Sequence, residues 1–253
     1  MNLKQESDRI ISFLKDTIKR VGFSQAVVAV SGGVDSAVSL TLAVHALGED
    51  NVYPILLPYG ILNTQGVLDT MELIPQLHIP LTHVVRIDIK KAVDDISGNE
   101  MGMDNIRKGN IMARVRMTYL FDQAKKRQAL VVGTENKSEH LLGYFTRYGD
   151  SASDIEPIGH LYKTQVIELA SYLKVPQKII DKPPTAGLWP EQTDEGELGF
   201  SYKDADQILS LLFDEKKTID EVVSLGFAKE LVERIQTRVS QNSFKHTTPY
   251  SLL

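Results

Sequence analysis

The sequence predicts an α/β fold with a doubly wound, mostly parallel sheet, helices on both faces of the sheet and a helical C-terminal part. Short apolar runs alternate along the chain with segments of helical spacing, as in strands joined by crossover helices. The runs are continuously apolar and rich in valine, which is typical of strands buried on both faces. After Ser151 such runs are hard to find, whereas helical patterns continue.

Each element follows from its own pattern. Apolar residues at helical spacing predict an amphipathic helix at the start of the chain, at Ile10, Ile11, Leu14, Ile18 and Val21. Strands are predicted over 25–30, 52–58, 82–89 and 129–134. Helices are predicted between these strands over 38–47, 64–77 and about 103–127, and Gly48 should end the first of them. Beyond the last strand, helices are predicted over 164–173, 202–213, 219–225 and 228–241.

The segment 182–200 has no periodic pattern. It holds three of the ten prolines, three glycines and four acids. A stretch of this length is typical of a mobile functional lid, although a plain surface excursion explains the composition equally well. We call it the 182–200 loop.

Composition limits the classes of function. The 253 residues fit a single domain over 1–253. A net charge of −5 argues against nucleic-acid binding. The chain has no cysteine, which excludes disulfides, thiolate metal sites and thiol nucleophiles. No apolar run is long enough for a bilayer and the N-terminus lacks the pattern of a secretory signal, so we expect a cytoplasmic protein without a membrane partner.

A glycine-rich turn lies inside the stretch AVVAVSGGVDSA at 26–37. A strand, a tight turn and a helix N-terminus together form an anion site, because backbone N–H groups point outward there. Gly32 and Gly33 leave room for a phosphate, and Ser31 and Ser36 supply hydroxyl donors. The turn lacks the Gly-Lys-Ser/Thr of a Walker A loop and the third glycine of the dinucleotide fingerprint.

Asp35 is the unexpected residue of this turn. A bare carboxylate would repel a pyrophosphate, but it becomes a ligand when Mg²⁺ lies between them. The alternative is that Asp35 is a first-turn acid favoured by the helix dipole. From the turn alone the two interpretations are equally good.

Longer blocks carry a family resemblance. SGGVDS resembles the loop of the N-type ATP pyrophosphatases. The blocks KGNIMARVRM (108–117), GTENKSEHLLGYFTRYGD (133–150), PIGHLYKTQV (157–166) and PPTAGLWPEQTDEGELGFSY (183–202) resemble, in order, the ammonia-dependent NAD synthetases. The resemblance implies an adenine nucleotide alpha-hydrolase-like fold. It also implies a homodimer that uses ATP and Mg²⁺ to amidate deamido-NAD⁺ with ammonia through an adenylate, giving NAD⁺, AMP and pyrophosphate.

The resemblance further implies roles for residues at matching motif positions. The expected metal ligands are Asp35 and Glu139, and the expected catalytic residues are Asp150, near the ammonia site, and Lys163. The expected ATP contacts are Ala29, Val30, Ser31, Gly32, Gly33, Val34, Asp35, Ser36, Thr134, Lys163 and Thr185. The expected deamido-NAD⁺ contacts are Arg114, Arg147, Asp154, Phe244 and Lys245.

Two of these positions depart from the family pattern, and two neighbouring arginines compete for one predicted deamido-NAD⁺ contact. Arg147 stands where the family often has lysine, and Phe244, in NSFKHTTPY (242–250), where it often has histidine. Arg114 and Arg116 point about 200° apart on a helix, so only one can easily face a pocket. Motif position favours Arg114.

Other functions compete with this interpretation. The same loop serves ATP pyrophosphatases that amidate or thiolate different substrates, and a non-enzymatic nucleotide-binding module would also explain the turn. Missing cysteine excludes thiol-dependent sulfur transfer and a fused glutaminase. Nitrogen would then come from free ammonia or from a separate glutaminase chain, and the sequence leaves both open.

Overall fold

The computed structural model describes residues 1–98, 100–247 and 250–251. Within them, the strands form one parallel sheet: β1 (Gln25–Ala29), β2 (Val52–Leu56), β3 (Val85–Arg86) and β4 (Ala129–Val132). The spatial order is β3-β2-β1-β4, so β1 lies between β2 and β4. Ala26 pairs with Val52 on one side and with Leu130 on the other.

Helices connect and follow the strands. They are α1 (Leu3–Arg20), α2 (Val34–Leu47), α3 (Thr64–Gln76), α4 (Lys90–Ser97), α5 (Asn105–Arg127), α6 (Lys137–Leu142), α7 (Lys163–Tyr172), α8 (Gln177–Ile180), α9 (Asp194–Leu198), α10 (Tyr202–Leu209), α11 (Ile219–Ser224) and α12 (Lys229–Asn242). Short 3₁₀ turns occupy Glu49–Asn51, Leu81–His83 and Ser243–His246, and a π-helical turn at Ser210–Asp214 extends α10.

Alternating residues of β1 show that both faces of the sheet are covered. Ala26 and Val28 pack into a core with α1, α2, α3 and α7, whereas Val27 packs into a second core with α4 and α5. All three residues are fully buried. The doubly wound parallel sheet predicted from the continuous apolar runs is therefore confirmed, and a third core unites α6 with α10, α11 and α12.

Most predicted elements agree with the structure within a few residues. Gly48 ends α2 with a positive φ of 83°, as predicted. The helix itself begins at Val34 rather than at residue 38, which places Asp35 in its first turn. The helices α4, α6 and α8 were not predicted from the pattern. Their short apolar stripes, with Val93 the one buried residue of α4, explain the omission.

The strand predicted over 82–89 is wrong in extent, because β3 has only two residues. Residues 81–83 form a 3₁₀ turn instead. Beyond β3 the chain stays beside β2, since Ile87 N–H donates to Leu56 O and Ile89 N–H to Pro58 O. Pro58 has no N–H to return a bond, so the ladder is one-sided there.

The 182–200 loop is also more structured than its pattern suggested, because it contains α9. Thr193 caps this helix by accepting a hydrogen bond from Gly196 N–H. None of the described helices is both long enough and apolar enough to span a membrane.

Candidate active site

The glycine-rich turn leads from the carboxyl end of β1 into α2, and its hydroxyls order it. Ser36 Oγ accepts a hydrogen bond from Ser31 N–H at 3.2 Å and donates to Gly33 O at 3.0 Å. Ser31 Oγ in turn accepts from Gly33 N–H at 3.2 Å. The turn therefore holds its shape before any ligand is bound, as an anion site at a helix N-terminus requires.

A glycine outside the turn, Gly66 of α3, allows the turn to pack closely against that helix. This contact was not anticipated from the sequence. Gly32 has a positive φ of 81°, and a Cβ there would lie 2.4 Å from Gly66 O in α3. A Cβ on Gly66 would lie 2.1 Å from Ser31 O. Both positions need glycine, because backbone meets backbone with no room for a side chain.

Three charged side chains meet beside the turn, and we call Asp35, Glu139 and Lys163 the charge cluster. Lys163 Nζ lies 2.5 Å from Asp35 Oδ2 and 3.1 Å from Glu139 Oε1. The lysine side chain is 3% exposed, and each carboxylate side chain is 16% exposed. Motif position had grouped these residues, and the structure brings them within contact of one another.

Local sequence explains how the cluster is built. Asn136 caps α6: its Oδ1 accepts from Glu139 N–H at 3.0 Å, while Glu139 Oε2 accepts from Asn136 N–H at 3.4 Å. This capping box fixes the glutamate at the third position of the helix. Asn136 Nδ2 also donates to Asp35 Oδ1 at 2.9 Å. One buried side chain thus joins α6 to the glycine-rich turn.

Burial and charge set the protonation of the cluster. Burial, together with the charge of Asp35, raises the pKa of Glu139 to about 8, although Lys163 opposes the shift. For Lys163 burial alone would lower the pKa, but Asp35 and Glu139 outweigh it and raise the pKa above its ordinary value. The lysine is therefore a fixed cation at neutral pH.

The donor set of the cluster fits a divalent cation. Asp35 and Glu139 present carboxylate oxygens to one point, now held by an ammonium. In the described part of the chain, no group of three or more His, Asp or Glu side chains could hold a metal ion. Two carboxylates suit Mg²⁺, which commonly takes its other ligands from phosphate oxygens and water.

One end of the 182–200 loop lies beside the glycine-rich turn, and the other end lies near the charge cluster. Lys182 Nζ donates to Gly32 O at 2.8 Å and forms an ion pair with Asp69 of α3. Asp194, 3% exposed, accepts a 3.3 Å hydrogen bond from Tyr202 OH through Oδ2. Its Oδ1 has no hydrogen-bond partner among the described residues. Neither Lys182 nor Asp194 carried a pattern that predicted these contacts.

Thr134 and Thr185 occupy different environments. Thr134 is half-buried directly after β4. Thr185 is exposed, and its hydroxyl accepts a 3.0 Å hydrogen bond from Gly187 N–H inside the loop. Asn63 Nδ2 holds the same turn by donating to Gly187 O at 3.0 Å.

Asp150 lies outside the charge cluster. The residue is exposed, and its Oδ1 accepts a 3.0 Å hydrogen bond from Thr146 N–H. Protein atoms crowd around the carboxyl despite this exposure, and this desolvation and the charge of Glu135 raise its pKa. Water screens such effects at an exposed group, so the position of the Asp150 carboxyl is a better guide to its role than the shift of its pKa.

Arg114, Arg147 and Phe244 form a second group, which we call the arginine region. Arg114 is exposed, and its Nε donates to Arg147 O at 3.3 Å. The Arg147 guanidinium lies 5.7 Å from the centre of the Phe244 ring. Its Nε is buried and has no hydrogen-bond partner in the described residues. Arg116 instead donates to Leu57 O and Asn63 Oδ1, and the role of Arg114 toward deamido-NAD⁺ stays a prediction.

Asp154 and Lys245 make backbone contacts in this structure. Asp154 Oδ2 accepts from Val131 N–H of β4 at 2.8 Å. Lys245 Nζ donates to Gly143 O at 2.6 Å and to Phe145 O at 3.0 Å, which ties the last 3₁₀ turn to the end of α6. Their roles toward deamido-NAD⁺ stay predictions. Thr248 and Pro249 of the segment NSFKHTTPY lie outside the described residues.

Nearly the whole chain is similar to proteins of a known family. A family described as NAD synthase matches residues 6–249. The NH(3)-dependent NAD(+) synthetase of Fusobacterium nucleatum is 43% identical over 249 residues, covering 98% of this chain and 95% of the relative. That of Pyrococcus furiosus is 40% identical over 251 residues, covering 98% and 94%.

Two solved structures share the whole fold. The NH3-dependent NAD synthetase from Campylobacter jejuni, in complex with the nitrate ion, has a TM-score of 0.84 and 31% identity, and the match covers 100% of both chains. The NMN synthetase from Francisella tularensis has a TM-score of 0.86 and 35% identity, and the match covers 100% of this chain and 99% of the other.

Proposed function

The chain belongs to the NAD synthase family, and we propose that it catalyses the ATP-dependent amidation of deamido-NAD⁺ by ammonia, giving NAD⁺, AMP and pyrophosphate through an adenylated intermediate. The observation that carries the proposal is the charge cluster beside the glycine-rich turn, where Lys163 contacts both Asp35 and Glu139. An ATP pyrophosphatase needs a cation, two carboxylates and a phosphate turn at one place. These residues supply that combination.

In the first step the nicotinate carboxylate attacks the α-phosphorus of ATP and pyrophosphate leaves. The backbone N–H groups of the glycine-rich turn and the hydroxyls of Ser31 and Ser36 receive the phosphates. Asp35 and Glu139 would hold a Mg²⁺ ion, which supplies positive charge for the departing pyrophosphate. Lys163, charged at neutral pH, moves from the carboxylates to a phosphate oxygen. Thr134 and Thr185 add polar contacts to ATP.

The arginine region receives deamido-NAD⁺. The buried and unpaired Nε of Arg147 suits an anionic oxygen, and a guanidinium offers two donors in one plane. Arg114 adds a second exposed cation, and Phe244 offers a ring for stacking. Asp154 and Lys245 are further contacts, from their exposed or half-buried positions.

In the second step ammonia attacks the activated carbonyl and AMP leaves. Ammonium is the abundant species at neutral pH, so a base must take a proton from it. Asp150 attracts the ammonium ion and accepts this proton. Relatives named as NH(3)-dependent favour free ammonia as the nitrogen source, although a separate glutaminase chain could deliver the same molecule.

Assembly and location extend the proposal. We infer a cytoplasmic homodimer acting on small molecules, because family resemblance implies a dimer and ATP is a cytoplasmic substrate. Exposed apolar side chains, among them Ile61 at 91% and Ile106 at 66% exposure, are available for an interface between subunits.

A second candidate substrate is nicotinate mononucleotide. It is favoured by the full-length likeness to the NMN synthetase from Francisella tularensis. The reacting carboxylate is the same in both substrates, so the charge cluster serves either one. Discrimination would depend on whether an adenylyl half is required next to the nicotinate ribosyl phosphate.

The test is a mass-spectrometric assay with ATP, Mg²⁺ and ammonium, in which deamido-NAD⁺ and nicotinate mononucleotide are offered in parallel. We expect NAD⁺, AMP and pyrophosphate in equal amounts, and formation of AMP only when deamido-NAD⁺ is present. Preferential amidation of the mononucleotide would favour the second candidate. Formation of ADP, or binding of ATP without turnover, would contradict both. Replacing ammonium by glutamine tests the nitrogen source.

A further inference from the structure

A buried carboxylate on α10 connects the two helices that carry Glu139 and Lys163. Asp206 is 4% exposed and belongs to the helical C-terminal part, far along the chain from the glycine-rich turn. Its hydrogen bonds run to the first turns of α6 and α7. The sequence segments that carry the family resemblance do not include it, because it lies between the block 183–202 and the segment 242–250.

The contacts of Asp206 form a closed network. Asp206 Oδ1 accepts from Ser138 Oγ at 2.5 Å, and Asp206 Oδ2 accepts from Thr164 N–H at 2.8 Å. Ser138 is fully buried, and its Oγ accepts in turn from Lys163 N–H at 2.8 Å. Both carboxylate oxygens are therefore used, and each helix start is held through a different atom.

These anchor points adjoin the charge cluster in sequence. Ser138 immediately precedes Glu139, and Thr164 immediately follows Lys163. The 3.1 Å contact between Lys163 Nζ and Glu139 Oε1 depends on how the two helix starts sit relative to each other. The network fixes that relation through the backbone rather than through the reacting side chains.

We propose that Asp206 is a positioning residue, which aligns Lys163 with Glu139 by bonding Ser138 and the N–H of Thr164. The proposal rests on the proposed function in so far as Lys163 and Glu139 serve ATP. Asp206 itself touches neither substrate nor metal in this scheme. Its effect on catalysis is transmitted through the two helix starts.

The chemistry requires a carboxylate at this position. Both partners of Asp206 are donors, so both side-chain oxygens must accept. Asparagine has one acceptor oxygen, which Thr164 N–H would use, and one donor group. That donor would point at Ser138 Oγ, and the buried hydroxyl proton of Ser138 would lose its acceptor. The negative charge also lies at the N-termini of α6 and α7, where helix dipoles favour it.

The experiment compares Asp206→Asn with Ser138→Ala and with the matched control Asp204→Asn. Asp204 is an acid two residues earlier on α10, and it bonds to Ser201 at the start of that helix. We expect Asp206→Asn to lower kcat/KM for ATP by about 10- to 100-fold, mainly through kcat, because small misplacement of reacting groups is costly. Asp204→Asn should stay within about twofold, since surface-side cap changes affect mainly stability.

Two further readouts separate positioning from general loss of structure. The amide protons of Lys163 and Thr164 should exchange faster in Asp206→Asn, as followed by NMR, whereas those of β1 should not change. In the double variant, Ser138→Ala should add less than about twofold to the loss from Asp206→Asn, because the two substitutions break the same network.

Wild-type kcat/KM for ATP in a folded Asp206→Asn variant would overturn the inference, and so would an equal loss in Asp204→Asn. If Asp206→Asn does not fold, Ser138→Ala decides the question by the same kinetic measure. A wild-type protein that makes no NAD⁺ defeats the proposed function instead. In that case unchanged exchange at Lys163 and Thr164 in Asp206→Asn would still overturn the positioning role, and faster exchange would support it.

Discussion

The charge cluster and the arginine region differ in how the chain satisfies their charges. In the cluster, Lys163 contacts both carboxylates and Asp35 is bonded through each oxygen, to Lys163 and to Asn136. In the arginine region, Arg147 has a buried Nε without a hydrogen-bond partner among the described residues, and Arg114 is exposed. The charges of the first region are paired within the chain, whereas the second region keeps a buried N–H group that no described residue bonds.

This difference predicts separate kinetic roles for the two regions. Asp35 and Glu139 are held by Asn136 and its capping box before the reaction, and groups fixed in this way stabilise a transition state at little cost of reorganisation. This suits the transfer of the adenylyl group, in which Lys163 alone of the three changes its partner. Groups that have no hydrogen-bond partner until the substrate binds contribute mainly to substrate affinity. Substitutions in the cluster should therefore change kcat, and those in the arginine region should change KM.

The largest effect is expected from Asp35→Asn. It removes the charge of a proposed metal ligand and leaves one acceptor oxygen for two donors, Lys163 Nζ and Asn136 Nδ2. We expect kcat/KM to fall by about 100- to 1000-fold, the usual loss when one electrostatic stabiliser is removed. The assay is pyrophosphate release with deamido-NAD⁺, ATP and Mg²⁺. Asp50→Asn, an exposed acid just beyond the far end of α2, is the matched control, and Mg-dependent adenylation within tenfold of wild type would remove the cluster from the mechanism.

The second effect arises at Glu156 and concerns the free energy of unfolding. Glu156 accepts from Glu135 N–H at 3.1 Å and from Ser153 Oγ at 2.7 Å. Its pKa is raised to about 8 by burial, with the charge of Glu135 adding to the shift. A Cβ at Gly133 would lie 1.9 Å from Glu156 Oε1, so a side chain there would displace this carboxyl. Among the described residues no cation forms an ion pair with this carboxyl, whereas Lys163 pairs with Asp35.

The sign of the pH effect follows from that shift. The folded pKa of Glu156 lies above its unfolded value, so its contribution to the free energy of unfolding is complete at low pH. It is lost as the pH rises to about 8. Glu156→Gln should flatten the decline of stability between about pH 5 and pH 8, by at most about 1.4 kcal/mol per unit of pKa shift. Denaturant midpoints across this range measure it, with exposed Glu230→Gln as control, and parallel profiles for wild type and Glu156→Gln would contradict it.

A smaller effect, and in a different kinetic constant, is expected from Arg147→Ala. Loss of the guanidinium, whose buried Nε has no hydrogen-bond partner among the described residues, should raise KM for deamido-NAD⁺ by about tenfold, equivalent to about 1.4 kcal/mol, while kcat changes by less than about threefold. Arg147→Lys should fall between, because the charge stays and the planar fork is lost. Steady-state kinetics at saturating ATP separate the constants. A fall in kcat with unchanged KM would erase the contrast between the two regions.

The fold was largely predictable because burial dictates composition. The strands β1, β2 and β4 are continuous apolar runs, and packing on both faces leaves few other sequences possible. The extent of β3 was not predictable from its own residues, since Pro58 on the neighbouring segment ends the two-sided ladder. Pairing partners, rather than propensity, decide where an edge strand stops.

The site was predictable only in part. Asp35, Glu139 and Lys163 could be grouped by their motif positions, but the sequence gives no sign that Lys163 lies between the carboxylates. Asn136 carried a readable signal, because an asparagine three residues before a glutamate is the pattern of a capping box. Asp206 carried none, since its partners come from helices that only the packed fold brings to α10.

The smallest effect is expected at Phe244, where the family often has histidine. The ring is 46% exposed and lies against the Arg147 guanidinium, an exposed contact worth about 0.5–1 kcal/mol. Phe244→Leu should raise KM for deamido-NAD⁺ by about two- to fivefold, whereas Phe244→His keeps a ring over the arginine and should change KM by less than about threefold. Phe13→Leu, at an exposed ring on α1, should leave KM unchanged. A tenfold change in kcat from either substitution at Phe244 would contradict this prediction. It would mean that the arginine region, like the charge cluster, acts on the transition state rather than mainly on substrate affinity.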